Sequence, residues 1–181
     1  MPQMFPESPR FATPTERSVW LALRDQLSDD DLVIHGQRVT DHEKDHEADF
    51  VVAIAGAGIV CVEVKGGEVW HDGDGWLQSR PGNRPKRIDP VAQARGACYA
   101  LRSYVETHPA WTRGRLRWDH VVVLPQSLID DDFALPDCRD GRSSIVTSSI
   151  TSSHSSVGSS STRSRTCQPS TPRRSSNSSP H

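Results

Sequence analysis

The chain has 181 residues, 34 % of them hydrophobic, and a formal net charge of −2 at neutral pH. That length suits one domain rather than two. From Arg142 onward close to half the residues are serine, with five arginines and no Asp or Glu, so removing those five from 21 basic residues leaves 16 against 23 acidic ones in Met1–Gly141, a net −7. An acidic body argues against broad nonspecific adhesion to nucleic acid, while leaving room for a local acidic metal site and a local basic patch. The four cysteines, Cys61, Cys98, Cys138 and Cys167, lie far apart with no Cys-x-x-Cys pair, which implies neither a disulfide framework nor a zinc ribbon. With no signal peptide and no spanning apolar run, the expected setting is soluble, reducing and cytoplasmic, without a membrane partner.

Met1–Ala12, carrying Pro2, Pro6 and Pro9, reads as an irregular lead-in. Thr13-Pro14-Thr15-Glu16 then opens a helix, with Thr13 at the N-cap, Pro14 at the first helical position and Glu16 completing a capping box. Trp20, Leu23 and Leu27 follow on one face with Val19 beside them, and Glu16, four residues before Trp20, falls on that face. Leu32–Val39 reads as a first strand. Next, His42-Glu43-Lys44-Asp45-His46 spells a His-Glu-x-x-His string, which is zinc-peptidase chemistry only on a packed helix. No apolar residue stands between Thr40 and Ala48 to pack such a helix, so Asp41–Glu47 is expected to be a solvated connection.

Asp49–Lys65 predicts a β-hairpin across Gly56-Ala57-Gly58. The even positions Phe50, Val52, Ile54, Val60, Val62 and Val64 form an unbroken apolar face, and the odd positions place Asp49, Glu63 and Lys65 away from the turn. Folding symmetrically about Ala57 sets Asp49 opposite Lys65 and Val51 opposite Glu63. The two carboxylates are then diagonal neighbours roughly 7–8 Å apart at Cα, close enough to share a cation. Such a pair is costly on a half-buried sheet, and a hard divalent ion such as Mg²⁺ relieves it.

Gly66-Gly67 allows a change of direction, and Val69-Trp70-His71 and Trp76-Leu77-Gln78 flank Asp72-Gly73-Asp74-Gly75 as a second hairpin. Its two tryptophans are expected to cover one edge of the sheet, with base stacking as the minor alternative. Arg80, Arg84, Lys86 and Arg87 form the clearest basic cluster, either a phosphate-contacting loop or a solvated charge run. Asp89-Pro90 caps and starts a second helix running to about Val105, with Ala94, Ala97 or Cys98, Leu101 and Tyr104 or Val105 as its apolar stripe. Trp118–Pro125 is a strand whose continuous apolar run suits a central position. Cys61 and Cys98 read as small core residues.

Asp49…Glu63-Val64-Lys65 across a hairpin is the signature of the PD-(D/E)xK nuclease superfamily. The fuller strings Glu-Ala-Asp-Phe-Val-Val, Val-Glu-Val-Lys-Gly-Gly, the Trp-bearing hairpin and Asp-Pro-Val-Ala-Gln-Ala resemble its nuclease-related (NERD) branch. The resemblance covers roughly Thr13–Pro125. It implies an α/β, restriction-endonuclease-like αβββαβ core, a mixed sheet flanked by helices, and Mg²⁺-dependent hydrolysis of DNA phosphodiesters with Mn²⁺ as a substitute ion. Asp49, Glu63 and the Val64 carbonyl would hold metal, and Lys65 would assist the nucleophile. The resemblance also sets Glu16 near the metal and Gln93 on the rim, although a capping box and an ordinary polar first-turn residue explain these two equally simply. The rival class is a noncatalytic nucleic-acid or partner-binding module, the N-terminal part of a larger NERD-helicase-type protein, since NERD domains often precede other modules, including helicases.

The domain is thus expected over 13–137. Beyond it, 138–181 carries no periodicity and cannot offset its ordering entropy, which predicts a disordered Ser/Thr/Arg-rich tail, natural or frameshifted. Ile129–Leu135 still has a domain-like pattern.

Overall fold

The computed structural model describes residues 1–42 and 44–127, together with the backbone of two strands at 143–147 and 163–166. The elements follow in the order β1 (Gln3–Phe5), α1 (Pro14–Gln26), β2 (Leu32–Thr40), β3 (Asp45–Ile54), β4 (Gly58–Val64), β5 (Glu68–His71), β6 (Trp76–Ser79), β7 (Lys86–Ile88), α2 (Pro90–Thr107), β8 (Trp118–Val123), β9 (Ser143–Thr147) and β10 (Arg163–Thr166). This is a mixed α/β fold. Strands β1-β2-β3-β4-β8 form the body of a mixed sheet that β9 and β10 extend, and β5-β6-β7 form a separate small sheet. β1 runs parallel to β2, and β8 runs parallel to β4, while β2-β3-β4 is an antiparallel meander.

Local chemistry sets the helix starts. The Thr13 side chain accepts from Glu16 N–H at 3.2 Å, and Asp89 accepts from Ala92 N–H at 2.9 Å, so each cap satisfies a donor the helix cannot. Val19 and Trp20 of α1 pack on Val33, Phe50, Val52, Val62 and Val64 on one face of the sheet. On the other face Ala97, Cys98 and Leu101 of α2 cover Ala48, Val51, Cys61 and Trp118. The even face of the hairpin is therefore buried as its pattern requires, and Cys61 and Cys98 are buried free thiols.

Four local expectations are corrected. Gln3–Phe5, expected as irregular lead-in, adds a parallel edge strand to β2. Asp45–Glu47 opens β3 rather than forming a solvated connection, since Thr40 pairs with Asp45 and His46 is buried. Among the described residues the second hairpin pairs with no strand of the main sheet. It gains β7 as a third strand, and its Trp76 enters a core cluster with Val91, Ala94, Val122 and Leu124. Lys86 and Arg87 accordingly sit on a strand rather than in a loop. Within the expected tail, β9 and β10 lie in 138–181, and the remainder, with Ile129–Leu135, is outside the described residues. Among the described residues no helix is long and apolar enough to cross a membrane.

Candidate active site

The β3–β4 hairpin closes with Ile54 opposite Gly58 and Phe50 opposite Val62. Its three-residue turn is centred on Gly56, whose φ of 73° puts it in the left-handed region where glycine is favoured. The ladder is therefore displaced from the symmetric fold about Ala57. Continued one step past Phe50–Val62, it sets Asp49 opposite Glu63 and not opposite Lys65, so the carboxylates are direct cross-strand neighbours rather than diagonal ones. Parity is unchanged, which is why the apolar face survives the shift.

Asp49 Oδ2 accepts the Val64 N–H at 2.7 Å, which pins one oxygen and ties the Asp49 side chain to the strand carrying Glu63. Glu63 is 6 % exposed, and its Oε1 lies 2.6 Å from Lys65 Nζ. Burial, then the charge of Asp49, pushes the Glu63 carboxyl up to about 7, against the pull of Lys65. Burial likewise raises Asp49, opposed by the Val64 N–H and reinforced by the charge of Glu16. Two acids raised by burial and by their negative neighbours mark a site short of positive charge.

These residues share a cleft of about 340 Å³. Asp49, Glu63, Lys65 and Gln93 line it together, with Gln93 exposed on the first turns of α2. Glu16 does not line the cleft, although its charge acts on Asp49. Its Oε2 accepts from Ala12 N–H at 3.1 Å and lies 3.6 Å from His35 Nε2, and its Oε1 accepts from Thr13 Oγ1 at 3.0 Å. His35 is itself boxed by the rings of Phe11, Trp20 and Phe50. The capping contact and the electrostatic one thus coexist in Glu16.

Lys44, Asp45, His46 and Glu47 also line the cleft, although their run of charges predicts a solvated connection. His46 Nε2 is 2.8 Å from Asp41 Oδ2, and its ring lies against Gly96 of α2, where a Cβ would be 2.9 Å from Cε1. The signal for its burial was the even parity of His46 with Ala48, hidden by the surrounding charges. His46 stands on a strand, so the His-Glu-x-x-His spelling lacks its helix. Among the described residues no group of three or more His, Cys, Asp or Glu gathers to hold a metal ion. The donors that do gather are two carboxylates, hard oxygen ligands of the type Mg²⁺ prefers.

The basic cluster does not converge on this cleft. Arg87 pairs with Asp72 at 3.0 Å across the small sheet, Arg84 and Lys86 are exposed, and Arg80 lines a different cleft.

A mixed sheet between two helices, carrying a buried carboxylate pair with a lysine at its elbow, defines the class of domain. The family model of the nuclease-related domain, NERD, matches residues 12–125, more than half the chain, and the chain belongs to that family. No curated protein and no solved structure matches it.

Proposed function

We propose that this domain is a Mg²⁺-dependent nuclease that hydrolyses DNA phosphodiesters, with Mn²⁺ able to replace Mg²⁺. The observation that carries the reading is the buried Asp49–Glu63 pair, with both acids raised and Lys65 2.6 Å from Glu63. We read α1-β2-β3-β4-α2-β8 as the αβββαβ core of the PD-(D/E)xK superfamily, with β5–β7 inserted before α2.

In this reading Asp49 and Glu63, with the Val64 carbonyl, would hold the ion. When bound, it polarises the phosphoryl group and lowers the pKa of coordinated water. The chain's own groups do the rest. The Val64 N–H keeps one Asp49 oxygen fixed and leaves the other for the site. Lys65 would orient the attacking water or stabilise charge on the phosphate. The Gln93 amide on the rim hydrogen-bonds water or a phosphate oxygen, and Glu16 adds negative charge behind Asp49. A helicase-type partner is part of the same family-based reading.

The rival, a noncatalytic binding module, draws support from the closed Glu63–Lys65 pair, which partly neutralises the site without metal. Calorimetry of Mg²⁺ and Mn²⁺ binding to the wild type and to Glu63→Ala, with DNA cleavage followed in parallel, separates the two. Metal binding and metal-dependent cleavage, both lost in Glu63→Ala, support the nuclease. A wild type that binds neither ion at millimolar concentration leaves the module.

A further inference from the structure

Directly after Lys65 the chain forms the floor of a second, larger cleft of about 650 Å³. The floor is Gly66-Gly67, and it is fastened from both sides. The Gly66 carbonyl accepts from Gln78 Nε2 at 2.7 Å, and the Gly67 N–H donates to Gln126 Oε1. Neither position tolerates a side chain. A Cβ on Gly66 would lie 2.6 Å from Thr15 Oγ1, and one on Gly67, at φ 79°, would collide with the Ser79 carbonyl oxygen.

The walls are Pro14 and Thr15 from the first turn of α1, Glu68 from the start of β5, and Arg80 and Pro81 just after β6. The Arg80 stem runs along Gly67, with its Cγ 3.3 Å from where a Cβ would stand. Arg87 is occupied by Asp72, whereas Arg80 pairs with no carboxylate among the described residues.

We propose that this cleft seats one nucleotide of the strand whose neighbouring phosphodiester lies in the Asp49–Glu63–Lys65 cleft, an inference that rests on the nuclease reading. Size fits, since small-ligand sites run from about 300 to 1,000 Å³. So does chemistry. The two proline rings offer apolar walls to a sugar or base face, while the Arg80 guanidinium presents a planar fork to a phosphate. Gln126 spends its carbonyl oxygen on Gly67 and keeps its amide N–H₂ for donation. A floor without side chains lets a ligand approach the backbone closely. Continuity fits as well. Lys65 lines the first cleft and Gly66 the second, so the two clefts meet the chain at residues whose Cα atoms are about 3.8 Å apart.

The test uses the full chain with a fluorescein-labelled oligothymidylate in EDTA, followed by anisotropy, so that binding is read without cleavage. Arg80→Glu is compared with Arg113→Glu, an exposed arginine that lines neither cleft. The proposal expects about a ten-fold loss of affinity or more for Arg80→Glu and less than about two-fold for Arg113→Glu. It also expects thymidine 5′-monophosphate to shift the Gly66 and Gly67 amide resonances. Equal losses in the two variants, no binding by the wild type, or unmoved glycine amides would overturn it. Mg²⁺-dependent cleavage by wild type and Glu63→Gln judges the underlying reading separately. Arg80-dependent binding without cleavage leaves the subsite standing and removes the nuclease. Glu63-dependent cleavage with Arg80→Glu behaving like Arg113→Glu does the reverse.

Discussion

Gly36 faces Asp49 across the β2–β3 ladder, between the pairs His35–Phe50 and Gln37–Ala48, and there both strands turn over. Strict alternation would send Ala48 and Val51 to opposite faces, and Ile34 and Val39 likewise. Instead all four pack in the cluster beneath α2. Gly36 makes the reversal by adopting φ 68°, and Asp49 sits at the break. Gly36→Ala meets no steric obstacle but must hold a left-handed backbone. It is expected to lose about 1 kcal/mol in urea unfolding and to weaken Mn²⁺ binding. Gly73→Ala, strained alike in the distant β5–β6 turn, should lose stability and leave Mn²⁺ binding intact.

Stability should also depend on pH through Glu63. Its folded pKa of about 7 exceeds its ordinary 4.5, so the folded state holds the proton more tightly. This contribution is fully present below about pH 4.5 and is lost as pH rises to 7. The size is roughly 3 kcal/mol. Asp49, also raised, adds in the same direction. Buried His120, whose pKa is lowered by burial, has the opposite slope through pH 6.5. The clean measurement is therefore the difference between wild type and Glu63→Gln in denaturant melts from pH 5 to 8 without metal. The wild type should lose ground relative to the variant as pH rises, and saturating Mg²⁺ at pH 8 should restore it. A difference that stays flat with pH would contradict the raised pKa.

Lys65 and Asp49 should part company in binding and turnover. Lys65→Ala frees Glu63 from its 2.6 Å partner, so Mg²⁺ affinity is retained or strengthened while cleavage falls by about 10² or more. Asp49→Asn removes a ligand charge and should lose metal and cleavage together. Calorimetry beside a single-turnover cleavage assay reads both.

Gly96→Ala tests the contact between α2 and β3. Alanine favours a helix over glycine by about 1 kcal/mol, yet its Cβ would press on the His46 ring at 2.9 and 3.0 Å. Overpacking of this kind costs about 1–3 kcal/mol. A net fall in thermal midpoint is expected, with relief when His46→Ala is added. A rise in the single variant would show that the ring simply moves aside.

Much of this arrangement is legible in the residues themselves. Thr13-Pro14 and Asp89-Pro90 announce the helix starts because caps are local chemistry, and the Phe50–Val64 parity announces the buried face because strand periodicity is local too. What escaped depends on partners distant in sequence. Gln3–Phe5 is too short for any period and becomes a strand only because β2 offers its edge. Lys86–Ile88 gains its conformation from β6 in the same way. The hairpin register hung on whether Gly56 or Ala57 centred the turn, and only the backbone conformation decides that. His46 was masked by its charged neighbours, since its burial depends on a glycine fifty residues later. Asp49, Glu63, Lys65 and Gln93, expected together, do line one cleft, whereas the basic cluster, expected as one unit, is split.

The small sheet β5–β7 leaves the chain just after Lys65 and returns just before the Asp89 cap of α2. Both of its ends are therefore anchored beside the cleft residues Lys65 and Gln93, while its Asp72–Gly75 turn projects from the far end of the ribbon. Such an insert behaves as an exchangeable cassette. Its outer turn can lengthen, shorten or change charge without moving the carboxylates. The Val69 and Trp76 anchors and the glycine pair at its root are bound to stay. Selectivity could thus be rewritten on a few exposed positions while the chemistry beneath is inherited unchanged.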